Sequence, residues 1–156
     1  MKLAPIVLFT YNRPDKTLSV LESLKKNKIA KDSVLYVFSD GFNRSKKNDY
    51  LKVNHVRKIV KTIKGFRKVF LIERKKNLGL YLNITSGLNL IFTNNKKAII
   101  LEDDIIVSKN FLKYMNTNLE LYKNDEKVGS ICGNLSKTSE ILPKTFFLYH
   151  QDCWGW

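Results

Sequence analysis

The chain has 156 residues, 44% of them hydrophobic, and carries 28 Lys plus Arg against 14 Asp plus Glu, a formal net charge of +14. That length suits one domain of roughly 100–200 residues, with a core that needs no disulfide or metal staple. Its longest uncharged apolar runs are about six residues against the ~18 of a membrane span, which excludes a transmembrane chain; composition likewise excludes a disulfide miniprotein and a disordered tail.

The first residues, Met1 to Pro5, run directly into a strand-like segment, with no secretory h-region. Cys132 and Cys153 lack metal-ligand spacing and fit a reducing compartment. The expected location is the cytoplasm, and a peripheral position at the inner membrane face is compatible with the charge. Of the 28 basic residues 23 are Lys, spread in doublets with no run of five. Either a solvated basic surface or an anionic partner accounts for this, and charge alone does not choose.

In chain order, residues 6–10 form a continuous apolar run of strand length. Residues 14–24 open on Pro14 and Asp15 and place Leu18, Leu21 and Leu24 at helical spacing. Residues 34–39 are a second strand. Val53, Val56, Ile59, Val60 and Ile63 mark a second helix that stops at Gly65. Residues 69–73 are a third strand, and residues 80–92 a third helix with Leu80, Ile84, Leu88 and Ile91 on one stripe. A fourth strand over 98–101 and a fourth helix over 111–122 follow. Runs apolar on both faces suit buried parallel strands. The order β-α-β-α-β-α-β-α predicts an α/β fold, Rossmann-like, with a mostly parallel central sheet and helices on both faces. Residues 128–132 and 146–150 read as two further strands. The last residues, Cys153-Trp154-Gly155-Trp156, suggest a cut through a larger domain, because two Trp side chains need cover.

Ligands in such sheets sit beyond the carboxyl ends of the strands. There the sequence places Thr10, Tyr11, Asn12 and Arg13; Ser39, Asp40 and Gly41; Glu73, Arg74, Asn77 and Gly79; and Glu102, Asp103 and Asp104. The first loop has no glycine, which excludes a dinucleotide Gly-x-Gly-x-x-Gly turn and a P-loop. Glu102-Asp103-Asp104 is the sharpest feature. Three adjacent carboxylates between apolar runs repel one another, and a hard divalent ion such as Mg²⁺ or Mn²⁺, shared with phosphate oxygens, would neutralise them. The alternative is a solvated turn. Asp40-Gly41 is also an ordinary turn signal, and Arg74 and Asn77 could be a surface base and a helix cap. The third helix would otherwise offer its free amides to a phosphate. His55 reads as structural, and no Ser–His–Asp or Cys–His–Asp grouping supports a nucleophile.

Taken together, these segments resemble the nucleotide-sugar glycosyltransferases of the GT-A fold, family-2-like. Pro5 to Pro14 resembles that family's first strand and loop, Ser39-Asp40-Gly41 its second-strand acid, and Asn77-Leu78-Gly79 its Asn-x-Gly before the third helix. Leu101-Glu102-Asp103-Asp104 resembles its Asp-x-Asp-type motif, in the Glu-Asp-Asp form of N-acetylglucosaminyltransferase-I-like members. Trp154-Gly155-Trp156 resembles an aromatic segment of related bacterial enzymes.

The resemblance implies a single donor domain over 1–156, C-terminally incomplete. Its activity would be inverting, metal-dependent transfer of a sugar, from UDP-sugar, to an acceptor hydroxyl on a glycan, lipid-linked or protein acceptor. By the same resemblance Thr10, Asn12 and Arg13 line the nucleotide pocket, Asp40 bonds the base, and Arg74, Asn77 and Gly79 lie near base, ribose or diphosphate. Glu102 and Asp103 contact ribose or donor sugar, and Asp104 holds Mn²⁺ or Mg²⁺. The family's catalytic base lies beyond the aromatic segment, hence beyond Trp156; Asp152 is a weak match to it.

Two alternatives remain at this stage. One is a Mg²⁺-dependent nucleotidyl- or phosphoryl-transfer domain. The other is a non-catalytic basic module for nucleic acid or a membrane surface. No helix gathers basic and aromatic residues on one face as nucleic-acid stacking would require, so no nucleic-acid partner is expected.

Overall fold

In the computed structural model, which describes residues 2–134, a parallel sheet is built from β1 (Ile6–Thr10), β2 (Val34–Ser39), β3 (Lys68–Glu73) and β4 (Ile99–Glu102). The strand order is β3-β2-β1-β4, and every pairing is parallel. Between and after the strands run α1 (Pro14–Lys25), α2 (Asp49–Thr62), α3 (Gly79–Phe92) and α4 (Phe111–Leu121), with a 3-10 turn over Ala30–Asp32.

Side chains alternate across each strand, and the two faces have separate cores. Ile6, Leu8, Leu35, Val37, Ile99 and Leu101 point to one face, where Leu21 and Leu24 of α1, Val60 of α2 and Leu112 and Met115 of α4 cover them. Val7, Phe9, Phe38 and Ile100 point to the other, where α3 supplies Ile84, Leu88 and Ile91. The connection after β3 reverses direction along the sheet to reach β4. A constant crossover hand then puts α3 on the face opposite α1 and α2. This is the expected α/β architecture, with helices on both faces.

α3 lies close to the sheet because Gly87 faces the rings of Phe9 and Phe38; a Cβ there would sit 2.6 Å from Phe9. Polar side chains lock α4 to the rest. Buried Asn116 accepts the Ala4 N–H at 2.8 Å, and Asn27 of the α1 exit accepts the Leu112 N–H at 2.9 Å.

Two expectations are corrected. β3 is only half-buried, because it forms an edge of the described sheet. Residues 128–132 are not a strand. Gly129 and Ser130 break the apolar run, Val128 closes a turn on Asp125, and Ile131 packs on the core without a ladder partner among the described residues. The strand expected over 146–150 lies outside the described residues.

Candidate functional site

Register aligns Thr10 with Ser39, Ser39 with Glu73, and Phe9 with Glu102, so the polar residues after all four strands share one rim. β1 is the switch point. The chain leaves it toward β2 and β3, then returns to its other side at β4. Such a crevice outside the carboxyl ends is where open α/β sheets take ligands.

Arg13 and the acidic triplet meet there. One guanidinium nitrogen of Arg13 pairs with Asp103, and the other lies 2.9 Å from Asp104. Asp103 is buried and also accepts the Tyr11 N–H at 3.4 Å, whereas the Asp104 side chain is 43% exposed. The predicted repulsion is real. Burial pushes the Glu102 carboxyl up, and the charges of Asp104 and Asp103 push it further. Burial raises Asp103 as well, against the opposing pull of Arg13 and the Tyr11 N–H. Burial would lower Arg13, yet the two carboxylates hold it above its ordinary value. Part of the neutralisation assigned in sequence to a metal is therefore supplied by Arg13.

Asp40 is buried at the end of β2, and each of its oxygens accepts two hydrogen bonds. One takes the N–H groups of Gly41 and Leu78, both at 2.8 Å; the other takes Gly79 N at 3.0 Å and Asn77 Nδ2 at 3.1 Å. Asp40 thus caps α3 from another strand. Its acceptor capacity is filled inside the chain, so a base contact there would have to displace one of these bonds. The amides expected to face a phosphate at this helix start are likewise corrected: those of Leu78 and Gly79 belong to Asp40. Gly41 makes the approach possible, since a Cβ on it would lie 2.3 Å from the Lys76 carbonyl carbon.

Arg74 turns onto α3. It donates to Asn83 at 3.2 Å and Ser86 at 2.8 Å, with its guanidinium 5.4 Å from the Phe38 ring centre. Thr10 is buried, and its hydroxyl has no hydrogen-bond partner among the described residues. Asn12 is drawn to a residue that the sequence reading missed, Asp49. This buried carboxylate accepts from Asn12 Nδ2, from the Tyr11 hydroxyl at 2.6 Å and from the Asn43 N–H at 2.6 Å. Burial alone would raise Asp49, but these donors and the Lys46 charge hold it below its ordinary value. Burial, and the bond to Asp49, push the Tyr11 phenol up to about 12. The one sequence signal for Asp49 is that it is the sole acid between Asp40 and Glu73.

Arg57 was also missed. It donates to the carbonyls of Arg74 at 2.8 Å and Asp40 at 3.3 Å and pairs with Glu73 at 3.2 Å, tying the ends of β2 and β3 together. His55 is exposed on α2. Asp152 and Trp154-Gly155-Trp156 lie outside the described residues.

Among the described residues no group of three or more His, Cys, Asp or Glu gathers as a metal cage. The donors at the crevice fit a narrower case. Glu102 and Asp104 are hard oxygen donors, Asp104 is open to solvent, and Mg²⁺ or Mn²⁺ needs one or two carboxylates when phosphate and water complete its shell. Asp104 would hold such an ion, in competition with Arg13. A separate cavity of about 550 Å³, lined by residues such as Ala4, Pro5, Lys97 and Ile131, opens at the amino ends of β1 and β4, away from this chemistry.

No protein-family model matches the chain, and no curated protein matches it. Among solved structures, that of S. aureus TarS is similar, at 16% identity and a TM-score of 0.48. The match covers 78% of this chain and 20% of that one, so this chain spans about a fifth of the TarS chain. The fold is a Rossmann-like α/β sheet with its candidate site at the switch point.

Proposed function

We propose that the chain is the donor-binding part of a nucleotide-sugar glycosyltransferase, taking a UDP-sugar and passing the sugar, with inversion, to a hydroxyl of a glycan, lipid-linked or protein acceptor. The observation that carries this reading is the meeting of Arg13 with Asp103 and Asp104 at the switch point. A fixed cation beside an exposed carboxylate at this crevice supports a diphosphate binding there.

Each residue then has a task. Asp49 fixes the Tyr11–Asn12 loop that would form the nucleotide wall, and Asp40 holds α3 and the 77–79 turn against it. Arg13 offers its guanidinium to the diphosphate, and planar forks suit phosphate oxygens. Glu102 is set to accept from ribose or sugar hydroxyls. Asp104 would hold Mn²⁺ or Mg²⁺, which supplies charge neutralisation on the leaving nucleoside diphosphate. No described residue is assigned as the base that deprotonates the acceptor hydroxyl; Asp152, a weak match to it, lies outside the described residues.

Calorimetric titration of UDP, UDP-glucose, UDP-N-acetylglucosamine and UMP with Mn²⁺ tests this. The expected result is tight UDP and UDP-sugar binding, weak UMP binding, and a sugar-dependent difference between the two donors. Equal affinity for UDP and both donors would favour nucleotidyl or phosphoryl transfer. No binding by the folded chain would remove the reading.

A further inference from the structure

α3 departs from the rest of the chain. Among the described helices it alone carries no charged residue. Its line of contact with the sheet is Asn83, Gly87 and Ile91. Large apolar side chains nevertheless project elsewhere. Tyr81 is 75% exposed and Phe92 45%, at i and i+11 on one flank, and Leu80 is exposed beside them. Leu82 and Leu90 are exposed on other flanks. Exposed apolar side chains of this size on one uncharged helix form an unpartnered apolar face among the described residues.

The surroundings point to the kind of cover. Between Gly65 and Ala98 there are seven Lys and Arg and one acid, Glu73. That acid is turned to the other side, where it pairs with Arg57 and Lys61 of α2. On the α3 side, Tyr36 packs in the same core cluster as Ile84 and Leu88 and stacks on Phe70 at 4.8 Å. Lys68 lies 4.5 Å from the Phe70 ring centre. Lys75 and Lys76 precede the helix and Lys96 follows it, all exposed. Apolar and aromatic groups bordered by lysines match the boundary of an anionic bilayer, where rings sit at headgroup level and lysines meet lipid phosphates. A second copy of this chain would instead bring one +14 surface against another.

We propose that the α3 face is a docking surface for an anionic lipid membrane, which the chain would grip peripherally. Among the described residues no helix is long and apolar enough to cross a membrane. The exposed α3 side chains point away from the donor crevice that the start of this helix borders, so vesicle binding and UDP binding are read by separate measurements.

The test is co-sedimentation of the 156-residue chain with vesicles of phosphatidylcholine alone and with one-third phosphatidylglycerol, at physiological salt. The expected result is partition onto the anionic vesicles, falling about fivefold or more in Tyr81→Ser/Phe92→Ser and in Lys68→Gln/Lys96→Gln, whose lysines are exposed at the amino ends of β3 and β4. Both variants should keep the wild-type unfolding midpoint and UDP affinity, because these side chains are exposed and outside the crevice. No partition onto anionic vesicles would overturn the proposal. So would partition that Tyr81→Ser/Phe92→Ser leaves unchanged, which would locate binding on other basic surface. A wild-type dimer that this variant dissociates, with no vesicle binding, would assign the face to a second copy.

Discussion

Arg13 reaches across 91 residues of sequence to Asp104, its Nη1 lying 2.9 Å from Asp104 Oδ2, while its second nitrogen holds buried Asp103. The β1 loop and the β4 end are one electrostatic unit. Asp103 depends on it, because without Arg13 its remaining donor among the described residues is the Tyr11 N–H at 3.4 Å. Arg13→Gln should cost about 1–2 kcal/mol in urea unfolding, the lower part of the range for a charged hydrogen bond because the guanidinium is 48% exposed. The same variant should bind Mn²⁺ alone more tightly, since Asp104 loses its competitor, yet bind UDP more weakly. Unchanged stability and weaker Mn²⁺ binding together would contradict this pairing.

Asp40 replaces the missing side-chain cap of α3, whose own N-cap residue makes none. Asp40→Ala should lower stability by about 1–3 kcal/mol, combining a lost cap with buried amides left unpaired. Asp40→Asn should recover little, because its amide group would turn donors toward donors. Thermal unfolding with far-ultraviolet circular dichroism reads both. An Asp40→Asn variant as stable as wild type would mean that the four bonds contribute little.

At Gly87 two effects oppose. Alanine is the better helix former by about 1 kcal/mol, but its Cβ would lie 2.6 Å from Phe9 and 3.2 Å from Phe38 in a stacked pair. Overpacking of a core costs about 1–3 kcal/mol, so Gly87→Ala should be net destabilising. Gly41→Ala should be worse, since the clash is with Lys76 backbone that cannot rotate away. Denaturant midpoints would settle the order.

Tyr11 supplies a pH signature. Its phenol is pushed from 10.0 up to about 12 by burial and by Asp49. Between those values the folded chain keeps a proton that the unfolded chain has released, so this contribution to stability is complete below pH 10 and is lost as pH rises toward 12. The ultraviolet difference titration of wild type against Tyr11→Phe should show one tyrosinate forming near 12, moving back toward 10 in Asp49→Asn. Asp49 gives the opposite sign. Its lowered value means that its contribution is present above the ordinary carboxylate range and is lost as acid protonates it.

What was legible in the sequence follows from how local each signal is. β1 and β2 were read at their observed bounds because buried parallel strands are apolar on both faces, and α1 was marked by Pro14 and Asp15 in its first turn. The rim residues were legible because each directly follows a strand. The task of Asp40 was not, since three of its four donors stand 37 to 39 residues later and Asp-Gly reads locally as a turn. Asp49 and Arg57 were hidden for the same reason: both act through contacts across the sheet end, while in sequence they are ordinary polar residues at the start and in the middle of α2. Residues 128–132 misled in the other direction: Val128, Ile131 and Cys132 read as an apolar strand, but Gly129 and Ser130 interrupt the run and no ladder forms there among the described residues.

The most direct test of the donor-site account is isothermal titration of UDP into the chain with and without Mn²⁺, on wild type and on Asp104→Ala. The account predicts binding that Mn²⁺ strengthens at least about tenfold in wild type and that Asp104→Ala reduces to the metal-free level. UDP binding that is indifferent to both Mn²⁺ and Asp104, and that collapses with added salt, would contradict it.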